Sequence, residues 1–353
     1  MKTYPSLYDK LTSFSTLYKA YHKVRRHKKD NKSIREFEYS LEENIFNLQQ
    51  ELKRFTYRSS RMDPIFIPNM PPQKAIFSPC LKDRIVQQAI RMTIYPLFNK
   101  AFIYDSYAFR IGKGTHAAIR RFDSFKQKAA RRNKPASGHV LKMDIKKYYL
   151  NINHRILLNI LGRKIKDRRL IWLIKDFLRK SPNKTFGAFG TKGIPIGSPL
   201  SQTLANIYLN ELDYFIKHSL GHKYYIRFAD DFAILDRKEL TKTKDAISTY
   251  LWQSLLLSLH PQKTRSTTLD KGINFLGYKI FYFHKRIKSR NLKNFTERLE
   301  CLKREYSQGL ITQEKLTQKI RGWVEYARYA DSYKLRERLF SDCVFVKEDR
   351  NSS

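Results

Sequence analysis

Cysteine is nearly absent: of 353 residues only Cys80, Cys301 and Cys343 carry a thiol. They are far apart and never form a C-x-x-C pair, so neither a disulfide framework nor a thiolate zinc site is supported. A reducing compartment fits that usage. Acidic residues are also scarce, 32 Asp and Glu against 70 Lys and Arg, leaving a formal charge of +38 and a pI near 10.1. A surplus this large repels itself without counter-ions and favours a polyanionic partner, nucleic acid first of all. No apolar run approaches the ~18 residues that a membrane span needs, and Met1-Lys2-Thr3-Tyr4-Pro5-Ser6 holds no apolar signal core. A soluble, cytoplasmic protein with no membrane partner is expected. Internal repeats and low-complexity blocks are missing as well.

What is present is basic and aromatic. Cations cluster at residues 23–29, 131–134, 163–169 and 285–290, and the chain carries 22 Tyr and 23 Phe. One such cluster is a solvated face. Their recurrence beside aromatics matches the way cationic grooves with stacking platforms hold single strands and hybrids, although most of the rings belong to the core.

The length allows several cooperating subdomains. Residues 1 to about 60 read as helical, with Leu41, Ile45, Leu48 and Leu52 at three- and four-residue spacings. Pro64, Pro68, Pro71 and Pro72 break that periodicity, and a second helix is expected over Ile85 to Phe98. The polar stretch Lys126 to Gly138 reads as an exposed connection, followed by short apolar strands alternating with helices until about residue 283. From Arg290 the pattern is helical again, and the tail Lys347 to Ser353 is too polar to pack.

Within the middle part, His139-Val140-Leu141-Lys142-Met143-Asp144-Ile145 is a short β-prone run ending in an acid, and Asn153 can cap a helix with Ile156, Leu157, Ile160 and Leu161 inward. Alone, Asp144 reads as a turn or capping aspartate. Tyr224 to Leu235 places two apolar strands around Asp230-Asp231, a tight hairpin with acids at its tip. Adjacent carboxylates repel, and a bound divalent cation is the simplest relief. Magnesium takes hard oxygen ligands, and two ions about 3.5–4 Å apart serve phosphoryl transfer. Three acids from two strands suffice for this if the Asp144 strand and the hairpin are sheet neighbours.

The third element is Gly193-Ile194-Pro195-Ile196-Gly197-Ser198-Pro199-Leu200-Ser201-Gln202. It leads into a helix with Leu204, Ile207, Tyr208, Leu212 and Phe215 on one face, Ser198 as cap and Pro199 at the first position. A Gly-rich approach to a helix start lets backbone lie against a base pair or phosphate.

Taken in order, these pieces resemble the reverse transcriptase family over residues 60–345. Asp144 with Tyr148-Tyr149 resembles the first catalytic block, Ile196 to Gln202 the second, and Phe228-Ala229-Asp230-Asp231 the third. Pro261-Gln262-Lys263-Thr264 resembles the lysine-bearing block, and Gly272 to Tyr278 the primer grip, with Phe275, Leu276, Gly277 and Tyr278 at its turn. Leu81 to Gln87 and Ser106-Tyr107-Ala108-Phe109-Arg110 resemble finger motifs of bacterial members.

The resemblance implies an α+β right-hand polymerase with an antiparallel palm sheet and a helical N-terminal extension. Its parts would be a basic helical extension (1–60), fingers (61–135), palm (136–283, with finger-contributing helices near 154–190), helical thumb (284–345) and a disordered tail (346–353). It implies Asp144, Asp230 and Asp231 as catalytic acids, with these and the Ile145 carbonyl holding two Mg2+ ions that Mn2+ can replace. Tyr149 would crowd a ribose 2′-hydroxyl and select deoxynucleoside triphosphates. Lys263 would serve the leaving pyrophosphate, while Arg110, Ile196 and Gly197 would contact the nucleotide. Lys74 stands where many relatives carry arginine, keeping the charge but losing the bidentate fork.

Many relatives have glutamine where this chain has Ile196. The Ile-Gly-x-x-x-Ser-Gln form is similar to enzymes of diversity-generating retroelements of bacteria and phages, which implies error-prone copying of template RNA, mutagenic retrohoming and a small basic accessory protein oligomer beside the RNA/DNA hybrid. About 75 residues follow Tyr278, enough for a helical thumb and too few for an added nuclease domain. The alternatives are an antiviral-defence bacterial reverse transcriptase and, from another class, a non-catalytic RNA-binding protein with a decayed polymerase body. The presence of all three acids argues against decay.

Overall fold

Helix starts follow their capping residues. Ser13 accepts from Thr16 N at the head of α2 (Phe14–Arg25), and Asn153 accepts from Ile156 N before α8 (His154–Lys164). Asp167 caps α9 (Arg168–Arg179), and Ser198 caps α10 (Pro199–Tyr214), which has proline at its first turn. Each cap satisfies a backbone N–H that the helix cannot. The computed structural model describes residues 3–26, 31–60, 62–65, 76–130, 137–182, 184–341 and 343–346. Packing divides the chain into two units. One comprises residues 1–114, 143–232 and 242–263, and the other residues 115–142, 233–241 and 264–353.

The first unit is mostly helical. It holds α1 (Tyr8–Leu11), α2, α3 (Lys32–Tyr39), α4 (Leu41–Lys53), α5 (Leu81–Asn99), α7 (Tyr148–Asn151), α8, α9, α10 and α11 (Thr241–Leu255), plus the paired strands β1 (Asp63–Ile65) and β2 (Ile76–Ser78). Helix α5 packs on both α2 and α10, and α10 also packs on α8. Ile45, Leu48 and Leu52 of α4 are buried, whereas Leu41 is half-buried. Phe215 lies past the end of α10 in a π-helical turn, Phe215–Ser219. The hairpin of β4 (Thr185–Gly187) and β5 (Gly190–Lys192) completes this unit.

The second unit contains α6 (Thr115–Ala129), a three-stranded antiparallel sheet of β9 (Ile273–Phe275), β10 (Tyr278–Ile280) and β11 (Lys285–Ile287), and helices α12 (Ser289–Ser307), α13 (Gln313–Ala327) and α14 (Tyr333–Phe340). The expected exposed connection begins later than residue 126. Helix α6 runs to Ala129, and Lys126 is buried because its ammonium pairs with Asp123 at 3.2 Å and donates to the Phe281 carbonyl at 3.1 Å. Its stem covers apolar surface while its head is neutralised. Residues 131–136 of that stretch, and the tail from 347, lie outside the described residues.

A four-stranded sheet has the order β6-β7-β3-β8, where β3 is His139–Asp144, β6 Tyr225–Phe228, β7 Asp231–Asp236 and β8 Arg265–Thr268. The β3 and β8 strands are antiparallel, with His139 opposite Thr268 and Lys142 opposite Arg265. The β3 strand is buried along most of its length, so its apolar residues form core and its last residue marks the edge.

Candidate functional site

Asp144 ends β3, and from there the backbone is held by other segments of the first unit. His260 N donates to the Asp144 carbonyl at 2.7 Å, Ile145 N donates to the Asp230 carbonyl at 3.3 Å and Lys146 N donates to Ser258 O at 2.9 Å. The backbone that follows Asp144 therefore meets the backbone of the acid pair, as sheet adjacency requires. Ala229 makes the β6–β7 turn possible by adopting φ 55°, a left-handed conformation that costs a non-glycine residue energy and needs support from its surroundings.

The Asp144 carboxylate faces the Lys263 ammonium, which lies 3.1 Å from Oδ1 and 3.3 Å from Oδ2. Asp144 is 9% exposed, whereas the Lys263 side chain is 54% exposed. Among the described residues no three His, Cys, Asp or Glu side chains are gathered as a ready-made ion cage. The donors are nevertheless all hard oxygens, and the Asp144 carboxylate already presents both oxygens to a cation. That donor set suits magnesium better than a softer metal.

Tyr149 lies in α7, and its carbonyl accepts from Ile194 N at 2.9 Å, tying this segment to the 193–202 block. Burial pushes the Tyr149 phenol well above its ordinary value, and the charge of Asp230 adds to that shift. Tyr149 and Asp230 thus share one electrostatic neighbourhood. Gly193 N donates to Ile152 O at 3.0 Å. Gly197 has φ 103°, which only glycine adopts at little cost. The Ile196 carbonyl accepts from Phe77 N at 3.4 Å, and Ser198 Oγ donates to Gln87 Oε1 at 2.7 Å, joining the block to β2 and α5.

Arg110 is engaged within its own loop. It donates to Asn99 Oδ1 at 2.9 Å and to the carbonyls of Ile103 and Ser106 at 2.7 and 2.8 Å. Lys74 lies outside the described residues. The Phe275-Leu276-Gly277-Tyr278 segment belongs to the second unit. Leu276 and Gly277 form a two-residue hairpin turn with φ 48° and 93°. The Gly277 carbonyl accepts from Tyr326 Oη at 2.8 Å, and a Cβ on Gly277 would lie 2.7 Å from that hydroxyl. Tyr278 Oη donates to Tyr326 O at 2.8 Å, so α13 clamps both sides of the turn.

Two supporting residues escaped sequence reasoning. His154 Nε2–H donates to the Gly193 carbonyl at 2.8 Å. Burial holds its imidazole below the ordinary value of 6.5, although that hydrogen bond opposes the shift. The folded value lies below the unfolded one, so this contribution is fully present above the unfolded value of about 6.5 and is lost as pH falls from there through the lower folded value. The melting temperature of the wild type should therefore drop between about pH 7.5 and 5.5, and less so for His154→Gln. Arg227 also went unrecognised, although a cation inside the apolar run Tyr225-Ile226-Arg227-Phe228 is a signal in itself.

The fold, mixed helix and antiparallel sheet, is that of a right-hand polymerase, with acids at a strand end and a hairpin turn beside a half-buried tyrosine and a glycine-bearing helix start. The family described as reverse transcriptase (RNA-dependent DNA polymerase) matches residues 72–280, and the chain belongs to it. The chain is 26% identical to Protein YkfC of Escherichia coli (strain K12) over 71% of its own length and 74% of that protein. It is 30% identical to the group II intron-encoded protein LtrA of Lactococcus lactis subsp. cremoris over 50% of its own length, but only 28% of LtrA is covered. Apo telomerase from Candida tropicalis matches with a TM-score of 0.48 at 14% identity, over 69% of this chain and 52% of that one. A partial Cas6-RT-Cas1-Cas2 complex matches with a TM-score of 0.41 at 19% identity, over 70% of this chain and 42% of that one. Among the described residues no helix is long and apolar enough to cross a membrane.

Proposed function

We propose that this chain copies template RNA into DNA by two-metal nucleotidyl transfer, using Asp144, Asp230 and Asp231. The observation that carries this reading is the junction of β3 with the β6–β7 turn, where Ile145 N donates to Asp230 O at 3.3 Å. Mg2+, or Mn2+ in its place, would be held by the three carboxylates and the Ile145 carbonyl, and when bound neutralises charge on the attacking and leaving oxygens. Lys263 now rests on Asp144. Its exposed ammonium would transfer to the triphosphate, stabilising charge and giving a proton to the leaving pyrophosphate. Arg110, Ile196 and Gly197 would shape the nucleotide site, with Lys74 on the triphosphate, and the 275–278 turn would hold the primer end.

The assignment of parts follows the same reading: extension 1–60, fingers 61–135, palm 136–283, thumb 284–345 and tail 346–353. The protein would work in the cytoplasm on deoxynucleoside triphosphates and an RNA/DNA hybrid. Tyr149 is the proposed barrier to ribonucleotides, and its half-buried position beside the charge of Asp230 supports that place. Tyr149→Ala should raise ribonucleotide use relative to deoxynucleotide use by about 10²-fold in primer extension on an RNA template. Unchanged discrimination would remove Tyr149 from this role.

Ile196 supports the finer reading of an error-prone enzyme of a diversity-generating retroelement, served by a small basic accessory oligomer. Isoleucine offers shape at the nascent pair where glutamine offers a hydrogen bond. Ile196→Gln should reduce misincorporation opposite template adenine by about tenfold in sequenced products. Equal error rates for the two proteins would sink this subgroup reading. A second reading, an enzyme of the intron-encoded type, is favoured by the 30% identity to LtrA. Accurate copying by the wild type would select it.

A further inference from the structure

Arg227 and Asp213 both have side chains that are 0% exposed. A buried guanidinium is costly unless its donors are matched, and here they are matched in a directed way. Nε and Nη2 donate to the two Asp213 oxygens at 2.7 and 2.6 Å. Nη1 donates to Asn206 Oδ1 at 3.0 Å and to the Ala229 carbonyl at 3.1 Å. Asn206 and Asp213 are seven residues apart on α10, two turns along one face. Asp213 is itself fixed by Tyr225 Oη at 2.7 Å, and Asn206 Nδ2 donates to Ala108 O at 2.8 Å. The Arg227 backbone is held too: its N–H donates to Asp105 O and its carbonyl accepts from Tyr107 N, both at 2.9 Å. One residue thus ties together the 105–110 segment, the helix that follows the 193–202 block, and the turn carrying Asp230.

We infer that Arg227 is the positioning residue of the catalytic turn, referencing the Ala229 carbonyl to α10 so that Asp230 and Asp231 are presented in one geometry. This rests on the proposed reading of those acids. A buried guanidinium must match all of its donors whatever its role, so the choice of acceptor is what marks a positioning role. Besides Asn206, the Nη1 donor goes to the one residue of the turn held in a left-handed conformation, Ala229 at φ 55°.

The test uses the full chain in three forms: Arg227→Lys, which keeps charge opposite Asp213 but loses the fork; the paired Arg227→Met/Asp213→Leu; and Asp230→Asn as reference. Melting temperature, Mn2+ binding to the free protein by electron paramagnetic resonance, and kcat and KM on an RNA primer-template are read for each. Both Arg227 forms are expected to fold and to bind Mn2+ about 10- to 100-fold more weakly, with kcat lowered by a similar factor and primer-template KM changed less than about threefold. If either folds and keeps wild-type Mn2+ affinity and kcat, the inference is overturned. Failure of both to fold overturns it as well, since Arg227 would then serve the core. If Asp230→Asn itself leaves Mn2+ affinity and kcat intact, the reading of the acids fails, whatever the Arg227 forms do.

Discussion

Asp230→Asn is expected to lower kcat for deoxynucleotide incorporation on a primed RNA template by at least about 10³-fold, because it removes a full charge where charge develops during transfer. The substitution is isosteric, and the contact joining β3 to the turn uses the Asp230 carbonyl, which the substitution keeps. Folding should therefore be nearly unchanged. RNA binding should also survive, because it depends on a surplus of 70 cationic over 32 acidic residues. Binding of that kind falls by roughly 10³-fold or more over a few-fold rise in salt when many phosphates are contacted. Single-turnover extension beside a filter-binding titration separates the two properties. A kcat within tenfold of the wild type would exclude Asp230 as a ligand and leave an RNA-binding role for the chain.

The largest effect on stability is expected from Asp213→Leu. It leaves the Arg227 guanidinium fully buried without its carboxylate and deprives Tyr225 Oη of its acceptor. Breaking a buried pair from one side costs about 3–5 kcal/mol. For a chain of this size that is a fall in melting temperature on the order of 10 °C. Thermal unfolding followed by circular dichroism reads it, and adding Arg227→Met should recover most of the loss. A drop of only a degree or two would mean that water reaches the pair. The Asp144–Lys263 pair is a useful contrast, since its lysine is 54% exposed and solvent screens it. Removing Lys263 should therefore act on chemistry and hardly on folding.

Much of this architecture was legible in local chemistry. The caps at Asn153 and Ser198, the amphipathic run of α4 and the apolar strands flanking Asp230-Asp231 depend on neighbours within a few residues, so periodicity reports them. The burial of Lys126 was not legible. Its carbonyl partner, Phe281, lies 155 positions along the chain, and a lysine in a polar stretch looks solvated until that partner is present.

Composition indicated a polyanionic partner through a +38 charge, and the resemblance of three ordered acidic and glycine-bearing blocks to the reverse transcriptase family indicated a polymerase. The convergence of those blocks depended on tertiary pairing. The β3 strand sits between β7 and β8, an order in which neighbours in space are remote in sequence, so no local pattern encodes it. The Arg227 network has the same origin. Strand periodicity marks residue 227 as inward, but only the packing of α10 against β6 supplies Asp213 and Asn206 to a guanidinium that could not otherwise remain buried.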